Sequence, residues 1–184
     1  MPFGRPAKKK TPLNEAGLYD YAVKALGRQM RTETELRRLM TTRAEIGEQG
    51  ESAVRAVLVR LKEHGYLNDR SFAETYARLR QENEKLGVRR VRQDLQLKGV
   101  RAEVIEEAVG ARYGETNEEA LAREHLERKR IKKPENERET ARVVRRLMAA
   151  GFATGTITKI LRRWDVAEEA LAGLENLEAE RGEE

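Results

Sequence analysis

The chain predicts an all-α fold: three tandem three-helix repeats stacked into an elongated, slightly curved body. Three observations carry that prediction. Apolar residues recur at helical spacing along most of the chain, and period-2 alternation fits only VRAVLV, residues 54–59, whose i+3/i+4 set runs on to Leu61. Helix-opening residues such as Asn68, Asp69 and Ser71 fall between the stripes, as do stops such as Gly65 and Gly99. Three basic helices, ELRRLMTTR, RVRQDLQLKGV and VVRRLMAAGF, return at intervals of roughly 50 residues, a length that cannot bury a face without a stacked neighbour. The boundaries read as a flexible basic arm over residues 1–14, repeats over 15–68, 69–114 and 115–167, and an acidic tail over 168–184.

The first helix is expected over residues 15–30, with Leu18, Ala22 and Ala25 in one row and Tyr19, Val23 and Leu26 in the next. Thr32 and Glu35 have capping-box spacing for a second helix that buries Leu36, Leu39 and Met40. After a loop over 46–51, Val54, Val57, Leu58 and Leu61 form one helical face. The fourth helix opens near Asp69 and places Phe72, Tyr76 and Leu79 on one side. The fifth opens near Val88, carries Val91 and Leu95, and stops at Gly99. The sixth holds Val104, Ile105, Ala108 and Val109, with breaks at Gly110 and Gly114. Thr116 and Glu119 cap the seventh, which runs into a basic stretch and stops at Pro134. Asn136 and Glu139 cap the eighth, which carries Val143, Val144, Leu147 and Met148 and ends at Gly151. Ile157, Ile160, Leu161 and Trp164 mark the ninth.

Composition agrees with thin two-layer packing. The hydrophobic share is 39% and the charged share 38%, with only three Phe, one Trp and five Tyr to fill a thick core. The absence of cysteine removes disulfides and thiolate metal sites and points to a cytoplasmic setting. No apolar run reaches the roughly 20 residues of a membrane span, and the opening MPFGRPAKKKTP lacks the apolar region of a secretory signal. Residues 168–184 hold seven Glu and one Arg, net −6, so the chain's +5 leaves +11 on residues 1–167. Such a body attracts polyanions, nucleic acid first, unless its cations only solvate helix faces. The arm with Lys8, Lys9 and Lys10 is either a phosphate contact or a solvated tail. The acidic end either folds back over the cations or only aids solubility.

No catalytic constellation is visible. His64 and His125 lie far apart among helix residues and read as helix-surface or helix-end histidines, without metal or cofactor. There is no GxxxxGK[ST] loop for nucleotide phosphates. Asp20, Asp69, Asp94 and Asp165 are too scattered for a two-metal centre.

The basic helices are the stronger signal. Arg37 and Arg38, then Arg89, Arg90 and Arg92, then Arg142, Arg145 and Arg146 occupy corresponding places in the three units. Arginine suits bidentate recognition of phosphate or carboxylate, and stacked units align such rows into one strip. A helix-turn-helix reading of QDLQLKGVRAEVIEEAV meets Glu103, Glu106 and Glu107 on its second helix, which phosphates repel; the last unit, with Lys159, Arg162 and Arg163, fits that role better.

GYLNDRSFAETYARLR, GVRRVRQDLQLKGV, RRLMAAGF and TETELRRLM together resemble the RecX family of regulators of the RecA recombinase, over about residues 15–165. Gly65, Tyr66, Asp69, Phe72, Ala73 and Tyr76 carry most of the likeness, supported by Lys98-Gly99 and Gly151-Phe152. The resemblance implies an all-helical, elongated, non-enzymatic protein of recombination, DNA repair and the SOS response. It implies binding along the groove of the RecA–DNA filament, and inhibition of filament extension, strand exchange and co-protease activity. It also implies contact with single- or double-stranded DNA, directly or through the filament, by a cytoplasmic monomer. The family's usual Gly-Pro is here Gly87-Val88, Asp94 replaces the usual Glu, the loop over 44–52 is long, and the acidic end is unmatched. On this reading the binding residues are Arg37, Arg38, Arg89, Arg90, Arg92, Lys98, Arg145, Arg146, Lys159, Arg162 and Arg163. The competing reading is a helical-repeat DNA-binding protein acting as a transcriptional repressor.

Overall fold

The structure is a computed structural model, and it describes residues 11–166. The basic arm with Lys8, Lys9 and Lys10 and the acidic tail over 168–184 lie outside the described residues, except for positions 11–14 of the arm. Among the described residues the fold is all-α. The helices are α1 (Glu15–Leu26), α2 (Glu33–Thr41), α3 (Glu48–Glu63), α4 (Asp69–Glu84), α5 (Val88–Leu97), α6 (Ala102–Tyr113), α7 (Glu118–Arg128), α8 (Glu137–Ala149) and α9 (Thr154–Arg163). Among the described residues, extended pairing is confined to one bridge, Leu13 with Ala44, where the Leu13 N–H donates to the Arg43 carbonyl at 2.8 Å.

The chain divides into two compact units. The first comprises residues up to Phe72 together with Lys98–Val100; the second comprises Ala73–Leu97 and the residues from Arg101 onward. In the first unit α1, α2 and α3 pack on one another around Leu18, Ala22, Leu36, Met40, Val54, Val57, Leu58 and Leu61. Its α2 opens on the expected box: the Glu35 N–H donates to Thr32 Oγ1 at 3.1 Å and the Thr32 N–H to Glu35 Oε2 at 3.3 Å. The same end receives the Lys98–Val100 turn. Thr32 Oγ1 donates to the Lys98 carbonyl at 2.6 Å and Thr34 Oγ1 to the Gly99 carbonyl at 3.1 Å. Gly99 has φ +77°, and a Cβ there would stand 2.4 Å from Thr34 Oγ1, so the turn requires glycine twice over.

In the second unit α5 packs on α6, and α7 and α8 each pack on α9. Leu121, Leu126, Val143, Leu147, Phe152, Ile157, Ile160 and Leu161 share one apolar cluster. Asn136 caps α8 as expected, accepting from the Glu139 N–H at 3.0 Å.

Several local expectations are corrected. α1 stops at Leu26 rather than near residue 30, with Gly27 as its C-cap, still in the right-handed helical conformation and donating its N–H to the Val23 carbonyl at 2.9 Å. Leu39 is half-buried while Leu36 and Met40 are buried. On α4 the buried stripe is Phe72, Ala73, Ala77 and Gln81, and Leu79 is 41% exposed. α6 runs through Gly110 to Tyr113. Asn117, not Thr116, caps α7, accepting from the Ala120 N–H at 3.0 Å. Thr116 instead donates to the Arg112 carbonyl and accepts from Gln81 Nε2. α7 ends at Arg128, well before Pro134, where the Ile131 N–H returns to the Leu126 carbonyl and Arg130 takes φ +52°.

Candidate functional site

Within the second unit, the start of α5 rests on the turn between α8 and α9. Gly87 donates its N–H to the Ala150 carbonyl at 2.8 Å, and the Arg89 N–H reaches the Gly151 carbonyl at 3.3 Å. Gly151 sits at φ +90°, and a Cβ on it would lie 2.3 Å from the Arg90 nitrogen. Two bare N–H groups of the helix start are thus met by backbone carbonyls rather than left for an anion. The docking brings Arg89, Arg90 and Gln93 of α5 opposite Arg145, Met148 and Ala149 of α8 and Phe152 of the turn. Together they line a cleft of about 530 Å³. Its rim is cationic and its floor, from Met148 and Phe152, is apolar. Such a cleft accepts carboxylate or phosphate at the rim and an apolar group beneath.

The arginines around it differ in what already holds them. Arg90 Nε is 2.9 Å from Asp94 Oδ1, and Asp94 Oδ2 also accepts from the Tyr76 hydroxyl at 3.0 Å. Burial, with a contribution from Asp94 and against Arg80, pushes the Tyr76 phenol up, which keeps it a neutral donor to that carboxylate. Arg92 makes a two-pronged bond to Glu106 of α6, Nε to Oε1 at 3.0 Å and Nη2 to Oε2 at 2.8 Å. Arg89 is exposed and takes part in an interaction of its own. Arg145 and Arg146 are exposed and make no ion pair among the described residues.

The remaining expected site residues are distributed over both units. In the first unit Arg37 pairs with Glu33 at 2.8 Å, and Glu33 is also 2.6 Å from Lys62 Nζ. Burial raises the Glu33 pKa less than these two cations lower it, so its carboxyl is held below the ordinary range. Arg38 is exposed. Lys98 Nζ lies 2.7 Å from Glu35 Oε1 and 5.7 Å over the Phe72 ring, so it helps hold its turn on α2. In the second unit Lys159 is exposed without an ion pair among the described residues, and Arg162 is exposed with an interaction of its own. Arg163 Nη1 is 2.8 Å from Glu119 Oε1, although that oxygen has no partner in hydrogen-bond geometry.

The structure therefore gathers Arg89, Arg90 and Arg145 at one cleft, while Arg92, Lys98, Arg37 and Arg163 are engaged within their own units. Counted back from the left-handed glycines, Arg90 and Arg142 correspond, each nine residues before Gly99 or Gly151. Arg89 and Arg92 correspond to Ala141 and Val144 on that count. Sequence reasoning missed Gln93, Met148 and Phe152 as cleft residues, and it passed over exposed Arg138. The i, i+4, i+7 spacing of Arg138, Arg142 and Arg145 was the available signal for the last.

The two histidines lie in different units. His64 Nδ1 is 2.8 Å from the Tyr19 hydroxyl. His125, expected at a helix surface or end, is buried: its Nδ1 lies 3.1 Å from the Glu84 carbonyl and its ring meets Phe152 edge-on. Among the described residues no three His, Cys, Asp or Glu side chains stand together to hold a metal ion. No described helix is long and apolar enough to cross a membrane.

Comparison with known proteins places these features in a family. A family model described as the second three-helix domain of RecX matches residues 68–109. The regulatory protein RecX of Leptothrix cholodnii is 33% identical over 144 residues, covering 78% of this chain and 87% of that one. A Thermus thermophilus protein of the same name is 33% identical over 150 residues, covering 81% and 91%. The Deinococcus radiodurans protein is 39% identical over 118 residues, 62% of this chain, and the match spans only 53% of that relative's length. Two crystal structures of RecX share the fold. One has TM-score 0.65 at 22% identity, covering 81% of this chain and 71% of that one; the other, from Lactobacillus salivarius, has TM-score 0.61 at 20% identity, covering 83% and 97%. With 33% identity over aligned stretches of 144 and 150 residues, which span 87% and 91% of those two relatives, the chain belongs to the RecX family of regulatory proteins.

Proposed function

We propose that this chain is a non-enzymatic, cytoplasmic, monomeric regulator that binds the RecA–DNA filament along its groove. There it inhibits filament extension, strand exchange and co-protease activity. Family membership supports the regulatory role. The observation that carries the location is the convergence of Arg89, Arg90 and Arg145 on one cleft with an apolar floor. Three three-helix repeats, over residues 15–68, 69–114 and 115–167, would offer such turn-and-helix surfaces in series. Weak sites linked on one body bind a periodic polymer far more tightly than any of them alone. RecA's DNA-dependent ATP hydrolysis and strand exchange, followed with the protein well below the RecA concentration, test the reading. Inhibition at such a dose is the expected result. No effect even at equimolar protein, with filaments of unchanged length by electron microscopy, rejects it.

A further inference from the structure

Many helix arginines in this fold are neutralised close by. Glu33 answers Arg37 on α2, Glu51 answers Arg55 on α3, Glu82 and Glu84 answer Arg78 and Arg80 on α4, and Asp94 and Glu106 answer Arg90 and Arg92 on α5. α8 is different. Arg138, Arg142, Arg145 and Arg146 are all exposed, and none makes an ion pair among the described residues. Four uncompensated guanidinium groups on less than four turns repel one another, and an anionic partner laid over them relieves that repulsion.

The chain itself carries such a partner. Residues 167–184 follow directly on Val166 and hold seven Glu against Arg181, with Leu171, Leu174 and Leu177 interspersed. Val166 lies at the right end of the helix: with Asp165 it borders a small cleft lined by Pro134, Asn136, Glu137 and Thr140 at the start of α8. From there Glu137, Ala141, Arg145 and Met148 follow one another at i+4, i+4 and i+3 along a single stripe. That stripe leads to the cleft of Arg89, Arg145, Met148 and Phe152. The distance from Glu137 to Met148 is about 16 Å at the helical rise. Eighteen residues cover about 27 Å as a helix and about 60 Å extended, so reach is ample.

We propose that α8 and the cleft at its C-terminal end form a docking surface for an acidic–apolar segment, and that its occupant in the free protein is the chain's own residues 167–184. The glutamates meet Arg138, Arg142, Arg145 and Arg146, and a leucine reaches the floor of Met148 and Phe152. Any polyanion that uses the same arginines must displace the segment first.

The test needs no RecA, so its result is separate from that of the function proposed above. The chain lacks cysteine, which makes a label pair at Gln93→Cys and Asn176→Cys unique. Spin-label distances in the full chain should form one narrow, short population at low salt. They should broaden in 1 M salt and in the variant with Arg138, Arg142, Arg145 and Arg146 changed to Gln. Independently, changing the seven tail glutamates to Gln should raise affinity for an oligo-dT strand at least about tenfold at low salt, with the gain lost as salt rises. Circular dichroism checks that each variant remains helical. A broad distribution insensitive to salt and to the arginines overturns the proposal. So does an arginine row that binds oligo-dT equally well with and without the tail charges.

Discussion

Gly87 and Gly151 meet backbone to backbone: a Cβ on Gly87 would stand 2.4 Å from the Gly151 carbonyl oxygen. This approach, with the 2.8 Å bond from the Gly87 N–H to the Ala150 carbonyl, fixes where α5 begins relative to the end of α8. It therefore sets the cleft that the arginines line. The Lys98–Val100 turn does the same for α2 in the first unit, which gives the LKG-V and AAG-F segments one structural job: a left-handed turn that presents carbonyls to the start of another helix.

Gly151→Ala should be among the more damaging small substitutions. Its φ of +90° penalises any Cβ, and the added methyl runs into the Arg90 backbone. A loss of about 2–4 kcal/mol is expected, combining backbone strain with displacement of the packed helix. Gly110→Ala is the control. That position lies inside α6 with open space around it, so a gain of about 0.5–1 kcal/mol is expected. Urea unfolding of the two variants reads both signs.

Asp69→Ala should destabilise the first unit by about 1–2 kcal/mol, because its carboxylate accepts from the Glu33 N–H at 2.8 Å and so serves the opening turn of α2. Asp69→Asn keeps an acceptor and should recover most of the loss. Chemical denaturation of the pair distinguishes this bond from a simple charge effect.

Lower pH should weaken the fold through His125. Burial, with Lys129 close by and against the bond to the Glu84 carbonyl, holds its pKa below the ordinary value. The unfolded chain then binds the proton more readily than the folded one. Stability is fully present above the unfolded value of about 6.5 and falls as pH drops below it. Denaturation midpoints at pH 7.5 and pH 5 should differ more in the native chain than in His125→Phe. Equal differences would remove His125 as the cause.

The local parts of this architecture are legible in the sequence. Thr32 with Glu35 and Asn136 with Glu139 cap the helices they precede because such bonds span three residues and need nothing distant. The unread parts depend on long-range partners. Asp69 looks like a cap for its own helix; Asn68 takes that role, accepting from the Ser71 N–H, while Asp69 reaches the start of α2. Leu79 looks like core by size and spacing, yet helix packing on α4 runs through Ala73 and Ala77, both fully buried. Counting arginines in Arg89-Arg90-Val91-Arg92 gives three equal candidates. Only the fold shows that Arg92 is gripped by Glu106, fourteen residues on, and Arg90 by Asp94.

That inequality has a consequence for mutation. Arg92→Ala removes a half-exposed pair whose net worth is about 0–1 kcal/mol, so it should change stability little. It should also leave binding of a polyanion nearly unchanged, since its guanidinium is already occupied. Oligo-dT affinity of Arg92→Ala against Arg145→Ala compares an arginine held by Glu106 with one that makes no ion pair among the described residues, and only the second should weaken binding severalfold.

We propose that the α5–α8 face of the second unit is the surface that engages the RecA filament. The most direct measurement is RecA's DNA-dependent ATP hydrolysis against increasing amounts of the native chain and of a variant carrying Arg89→Glu, Arg145→Glu and Arg146→Glu, with matched helicity. The native chain should inhibit at sub-stoichiometric dose, and the variant should require at least tenfold more (about 1.4 kcal/mol). Inhibition by the variant at the native dose would clear this face of the role.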